Sequence, residues 1–202
     1  MIRHWLALLL VGVGWAAAVR AAPWSDNPAA ELYARGLAGD QQAVLKCIAE
    51  LEKILAVRPN DQMARVYLGS AYTLRSRDLG FGKAKLDALR KGIALMDEAA
   101  AAAPENARVS LTRAVTNEAL PIFLGRRKIA RAQLEELLAT VQKDPAKLKP
   151  ADQQLLYLNA GEAARRAGDP ARATELWRRG AAIRADAKLT QEITAARAAL
   201  LK

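Results

Sequence analysis

The chain has 202 residues, a formal net charge of +10 at neutral pH and 52% hydrophobic residues, which is enough sequence for one domain with a buried core. Its only cysteine, Cys47, excludes an intrachain disulfide. Its only histidine, His4, leaves everything beyond the first residues without an imidazole for a nucleophilic mechanism or a zinc site.

The first segment is read as an export leader covering residues 1–21. Arg3 and His4 form a positive start, and Trp5 to Val19 is free of charge. That run is about 15 residues, short of the roughly 18 to 20 needed to span a bilayer. Val19-Arg20-Ala21 places cleavage after Ala21, because a cut one residue later would leave Pro23 next to it. No cysteine lies at the cut to take a lipid anchor. The expected location is periplasmic or secreted, with no transmembrane segment after cleavage. Export argues against nucleic acid as the partner of this basic chain. An acidic peptide, an anionic polymer or an anionic membrane surface suits the charge better.

Residues 22–202 form the expected helical domain. Asp26 is placed to cap a first helix over Ala29–Ala38. Gly39-Asp40 turns the chain into a second, Gln41–Val57, with Val44, Cys47, Ile48, Leu51 and Leu55 along one face and Cys47 as a buried thiol. This is the first repeat, 28–59. The second, 60–104, opens with Met63 to Tyr72 and continues through Leu86, Leu89, Ile93 and Met96. A surplus between its helices is read as a loop, Arg75 to Lys85. The third, 105–150, opens with Ala107-Arg108-Val109-Ser110-Leu111, an echo of Ala64-Arg65-Val66-Tyr67-Leu68. Its surplus is Leu120 to Lys128. The fourth spans 151–185, and an amphipathic helix over 187–202 closes the chain.

The fourth repeat is the clearest. Tyr157, Ala160-Gly161 and Ala164 precede Gly168-Asp169-Pro170, and Ala173, Trp177 and Gly180 follow. Small residues three and four apart place two helices in close contact across a tight turn. Gly168 suits the end of the first helix, and Asp169 with Pro170 suits the start of the second. This stretch resembles the tetratricopeptide repeat, a helical hairpin of about 34 residues, and the resemblance extends over residues 28–202. It implies an all-α fold, an α-α superhelix of about four hairpins plus a capping helix. It also implies a non-enzymatic protein- or peptide-binding adaptor of the bacterial cell envelope. The alternative is an accessory subunit of an envelope complex or transporter, with its groove filled by its own chain.

Carried onto this sequence, the resemblance gives a partner-binding groove on the first helix of each pair. In repeat two the positions are Met63, Val66, Ser70 and Thr73. In repeat three they are Val109, Arg113, Thr116 and Asn117, and in repeat four Leu158, Asn159, Glu162 and Arg166. Arg113 and Asn117, four apart, suit a carboxylate or a peptide backbone. Their order across the repeats departs from the family's terminal-carboxylate clamp. The two surplus stretches suggest a second surface, a loop rim. Leu79, Phe81, Ile122 and Phe123 form its apolar lip, and Arg77, Arg126 and Arg127 its basic border. No catalytic, cofactor or metal site is expected. Gly80-Phe81-Gly82 lacks the strand and the Lys-Ser/Thr of a phosphate loop, and the adjacent Glu135 and Glu136 point about 100° apart on a helix.

Overall fold

A computed structural model describes residues 27–200. The stretch expected to be an export leader, the expected cap Asp26 and the last two residues lie outside the described residues. Nine α-helices and no strand are found among those described. They are α1 (Ala29–Leu37), α2 (Gln41–Val57), α3 (Gln62–Asp78), α4 (Lys83–Ala102), α5 (Ala107–Ala119), α6 (Arg126–Lys143), α7 (Pro150–Arg166), α8 (Pro170–Ile183) and α9 (Ala187–Ala199).

Most helix starts follow from one device. Asp40, Asp61 and Asp169 each accept a hydrogen bond from the backbone N–H three residues on, at 2.9 Å. Asn106 and Asp186 do the same for α5 and α9. Each such bond satisfies an N–H that the helix itself leaves unpaired. The helices α4 and α6 differ. They start from Gly82 (φ 141°) and Gly125 (φ 68°), with no side-chain cap.

Pairs α1–α2, α3–α4, α5–α6 and α7–α8 are antiparallel hairpins, and α9 packs on α7 and α8. The odd-numbered helices form an inner row whose direction can be read from contacts. Tyr33 on α1 meets Ser70 on α3, and Gly36 meets Arg77. On α5, Arg108 meets Asp152 of α7, and Glu118 meets Arg166. Partners rise together in number, so these helices run parallel. The turns that follow α1, α3, α5 and α7 therefore emerge on one edge, and the alternate turns on the other.

Glycines allow close approach in the hairpins α3–α4 and α7–α8. A Cβ on Gly69 would lie 2.6 Å from the carbonyl oxygen of Gly92, and a Cβ on Gly92 would lie 2.6 Å from that of Gly69. Gly161 leaves room for the indole of Trp177, whose Nε1–H donates to the Leu158 carbonyl at 3.0 Å. The core is a continuous seam from Tyr33 and Leu51 through Tyr67, Met96, Val115 and Leu134 to Trp177 and Ile193. Burial is uneven along it. The helices α5 and α9 both have 13 residues, but nine of α5 are buried and only two of α9.

The surplus of repeats two and three is mostly helix, which corrects the loop boundaries expected from sequence. Arg75 to Asp78 form the last turn of α3, and α4 starts at Lys83, leaving only Leu79 to Gly82 as turn. Nothing in Arg-Ser-Arg-Asp breaks a helix, and Arg75 and Arg77 are favourable beside the carbonyl end of one. Likewise α6 starts at Arg126, so the second turn is Leu120 to Gly125, with a 3-10 turn over Ile122–Leu124. The Lys-Pro-rich linker after α6 contains another 3-10 turn, Pro145–Lys147.

Candidate functional site: the inner row and the turn edge

The expected groove residues divide into two groups. Ser70, Thr73, Thr116, Asn117 and Asn159 are all buried, none more than 3% exposed. A polar side chain inside a helical stack must find a partner, and most of these do. The Tyr33 and Ser70 hydroxyls are 2.6 Å apart, and those of Ser70 and Thr116 are 2.9 Å apart. Thr73 donates to the Ser70 carbonyl, and Asn159 to that of Leu155. Tyr33, Ser70 and Thr116 thus form a polar ladder across α1, α3 and α5, whereas Thr73 and Asn159 bond within their own helices, and none of these side chains is open to solvent. Burial raises the pKa of the Tyr33 hydroxyl, so it stays neutral.

Arg113 is not on the inner face, which departs from the expectation. Its Nε donates to Asp97 of α4 at 2.8 Å and its Nη1 to Gln133 of α6 at 3.0 Å. The guanidinium thus sits against the outer layer. Arg126 converges on the same carboxylate at 2.5 Å and also donates to Asn117 Oδ1 at 3.4 Å. The arginine meant for a partner's carboxylate therefore holds an internal one. The echo between residues 64–68 and 107–111 implies a register of 43, whereas the capping residues of α3 and α5, Asp61 and Asn106, are 45 apart. Asp97 and Gln133 were not foreseen, since a lone polar residue on a long outer helix carries no signal in sequence.

Glu162 and Arg166 do come together, with Glu118 as an unexpected third member. Arg166 lies 3.0 Å from Glu162 and 3.4 Å from Glu118. Arg131 approaches Glu118 from α6 at 3.7 Å, and Arg165 pairs with Glu162 at 2.6 Å. The two carboxylates differ. Glu118 is 1% exposed, and burial pushes its pKa up, outweighing the pull of Arg131, Arg166 and Arg127. Burial also acts upward on Glu162, but hydrogen bonds from Arg165 and the charge of Arg166 prevail and hold it below the usual range.

Glu118 thereby couples stability to pH. A carboxyl whose folded pKa lies above its unfolded value of 4.5 contributes stability that is complete below that value and is lost as pH rises through the folded pKa. Glu118→Gln removes the charge and keeps the shape. Its melting temperature at neutral pH should exceed that of the wild type, and the gap should close as pH falls towards 4.5. Paired melts across that range check this, and a gap that widens on acidification contradicts it.

At the turn edge, Phe81, Ile122 and Phe123 are largely or fully exposed, at 103%, 73% and 81%. They are therefore not a local core. Leu79 is half-buried. The basic border is less free than expected. Arg77 pairs with Asp78 at 2.9 Å and donates to the Gly36 carbonyl, Arg126 is held by Asp97, and Arg127 donates to the Leu120 carbonyl. Lys83 and Lys128 are exposed and supply the outward positive charge instead, while Lys85 is half-buried and donates to the Leu79 carbonyl at 3.2 Å. Cys47 is fully buried, and burial pushes its thiol up to about 12, leaving no thiolate near neutrality. Among the described residues, no helix is long and apolar enough to cross a membrane.

No family model matches the chain, and no curated protein matches it. Among solved structures, it is similar to a thermophilic TPR protein from Thermus thermophilus. The two share 18% identity over 86% of this chain and 82% of the other, with a TM-score of 0.61. Together with the parallel inner row and the hairpin contacts, that likeness gives the chain a TPR-like, all-α superhelical fold.

Proposed function

We propose that the chain is a non-enzymatic, protein- or peptide-binding adaptor of the bacterial cell envelope, exported and released by cleavage after Ala21. The supporting observation is the row of parallel inner helices, α1, α3, α5 and α7. A surface of this kind suits an extended segment or a helix of a partner. Met63, Glu162 and Arg166 are the predicted groove residues that keep some exposure on it. The net positive charge favours an acidic segment.

Photocrosslinking tests this reading. A photoreactive residue in place of Met63 should trap a partner in envelope extract, whereas one in place of Arg178 on α8 should not. Equal capture from both positions, or none from position 63, would sink it. N-terminal sequencing of the exported protein should begin at Ala22. An intact Met1 in that fraction contradicts the envelope location.

One observation favours a second reading. Five of the expected groove side chains are already occupied by neighbours in the same chain. That suits an accessory subunit of an envelope complex, assembled through its edges. A protein that crosslinks only from edge positions would select this reading over the first.

A further inference from the structure

Among the described residues, seven large hydrophobic side chains are exposed, and five of them lie on two turns and the helix starts that follow them. Phe81 and the pair Ile122 and Phe123 are on the turns after α3 and α5. Leu86 and Ile129 are on the first turns of α4 and α6 just behind them. Both turns emerge on the same edge, as the parallel inner row requires. The flanking turns on that edge, Ala38 to Asp40 and Ala167 to Asp169, are short glycine–aspartate turns with no large apolar side chain. The apolar display thus belongs to the two middle turns.

Charge at these turns has one sign. From Leu79 to Leu86 and from Leu120 to Leu134 there is no acidic residue; Arg126 and Arg131 are paired with Asp97 and Glu118, which leaves Lys83, Lys85, Arg127 and Lys128 as the positive charges of these turns. Asp78 is turned inward, its side chain 5% exposed against Arg77. Lys83 is 88% exposed, and its partner Asp87 lies one turn further from the tip. Lys85 Nζ lies 5.7 Å from the Phe81 ring, so cation and aromatic are presented together. Basic residues in the first turn of a helix are electrostatically unfavourable to that helix, so helix stability does not account for them.

We propose that this edge docks on an anionic lipid bilayer. Fully exposed aromatic side chains on separate turn tips have no walls around them and present no groove for a protein ligand. A bilayer accepts such tips without matching pockets, and cations behind them meet the lipid phosphates. Contact of this kind is peripheral and places the edge, not the inner face, against the membrane. It is independent of the adaptor reading.

The test is sedimentation of the full chain with vesicles of phosphatidylglycerol and phosphatidylcholine, compared with phosphatidylcholine alone. Residues 1–26 are present in every sample, so any contribution from them cancels between variants. The chain should bind the anionic vesicles preferentially and lose binding as salt is raised. The double variant Phe81→Ser/Phe123→Ser should bind about tenfold or more weakly with an unchanged melting temperature. Lys83→Glu/Lys128→Glu should weaken binding comparably, and it keeps the test open should the serine variant melt early. Equal binding to both vesicle types, full binding by both variants, or no vesicle binding overturns the proposal. Capture of a protein by this edge without lipid, lost in the serine variant, does so too and assigns the surface to that protein.

Discussion

Trp177→Ala is expected to lower the melting temperature by about 10 °C or more, the largest loss of any single truncation in this chain. The indole is fully buried between α7 and α8, and its N–H is bonded to the Leu158 carbonyl. Truncating a buried tryptophan costs about 3 to 5 kcal/mol, because the surrounding helices relax only partly into the void. For a domain of this size each kcal/mol is worth roughly 2 to 4 °C. A second substitution identifies the cause. In the wild type, a Cβ on Gly161 would lie 2.5 Å from Trp177 Cδ1 and 2.8 Å from its Cε2. Gly161→Ala alone should therefore destabilise, by about 1 to 3 kcal/mol. In the Trp177→Ala background the same methyl enters the cavity, and its cost should vanish. Additive effects in that thermal-melt cycle would show that the two residues are not in contact.

Gly69→Ala is the second large expectation, at about 3 kcal/mol, or roughly 10 °C. The added Cβ would meet the Gly92 carbonyl oxygen at 2.6 Å and the Met96 backbone nitrogen at 2.9 Å. Those are main-chain atoms of α4, which cannot rotate away as a side chain can, so α3 and α4 must separate along their contact. Gly80→Ala is the matched control, because a Cβ there meets nothing within 4 Å. Circular dichroism melts of the two variants should differ widely. A Gly69→Ala protein that melts with the wild type would refute the α3–α4 contact described above.

The helical skeleton was legible because it is written in local chemistry. Gly-Asp turns with aspartate caps, and apolar faces of period 3.6, placed α2 at its observed bounds and α1 within a residue. Where the signal was composition alone, it misled. A polar run such as Arg75 to Asp78 resembles a loop, yet it lacks any residue that would stop a helix. The candidate site was less legible for a different reason. Which way Arg113 points depends on the rotation of α5 relative to α4 and α6, and an echo of five residues does not define that angle. Glu118 was missed because its role arises only when α5, α6 and α7 meet. The exposure of Phe81 and Phe123 agrees with the apolar lip expected from sequence. It was decided by how far the turns shorten once α3 and α6 take up the surplus.

The contrast between α5 and α9, equal in length and unequal in burial, has a consequence for how the chain opens. Helices here touch mainly those nearby in sequence, so little holds the two ends of the stack to each other. Opening can therefore start at an end without disturbing the middle, and α9 is anchored chiefly by Leu189 and Ile193. Amide hydrogens of α9 should exchange with solvent through frequent fraying, while those of α5 should exchange only when most of the array comes apart. The same locality shortens the search during folding, since each new hairpin forms by closing a small loop onto one already in place. The middle hairpins then act as the template, and the terminal helix is the last piece to settle and the first to leave.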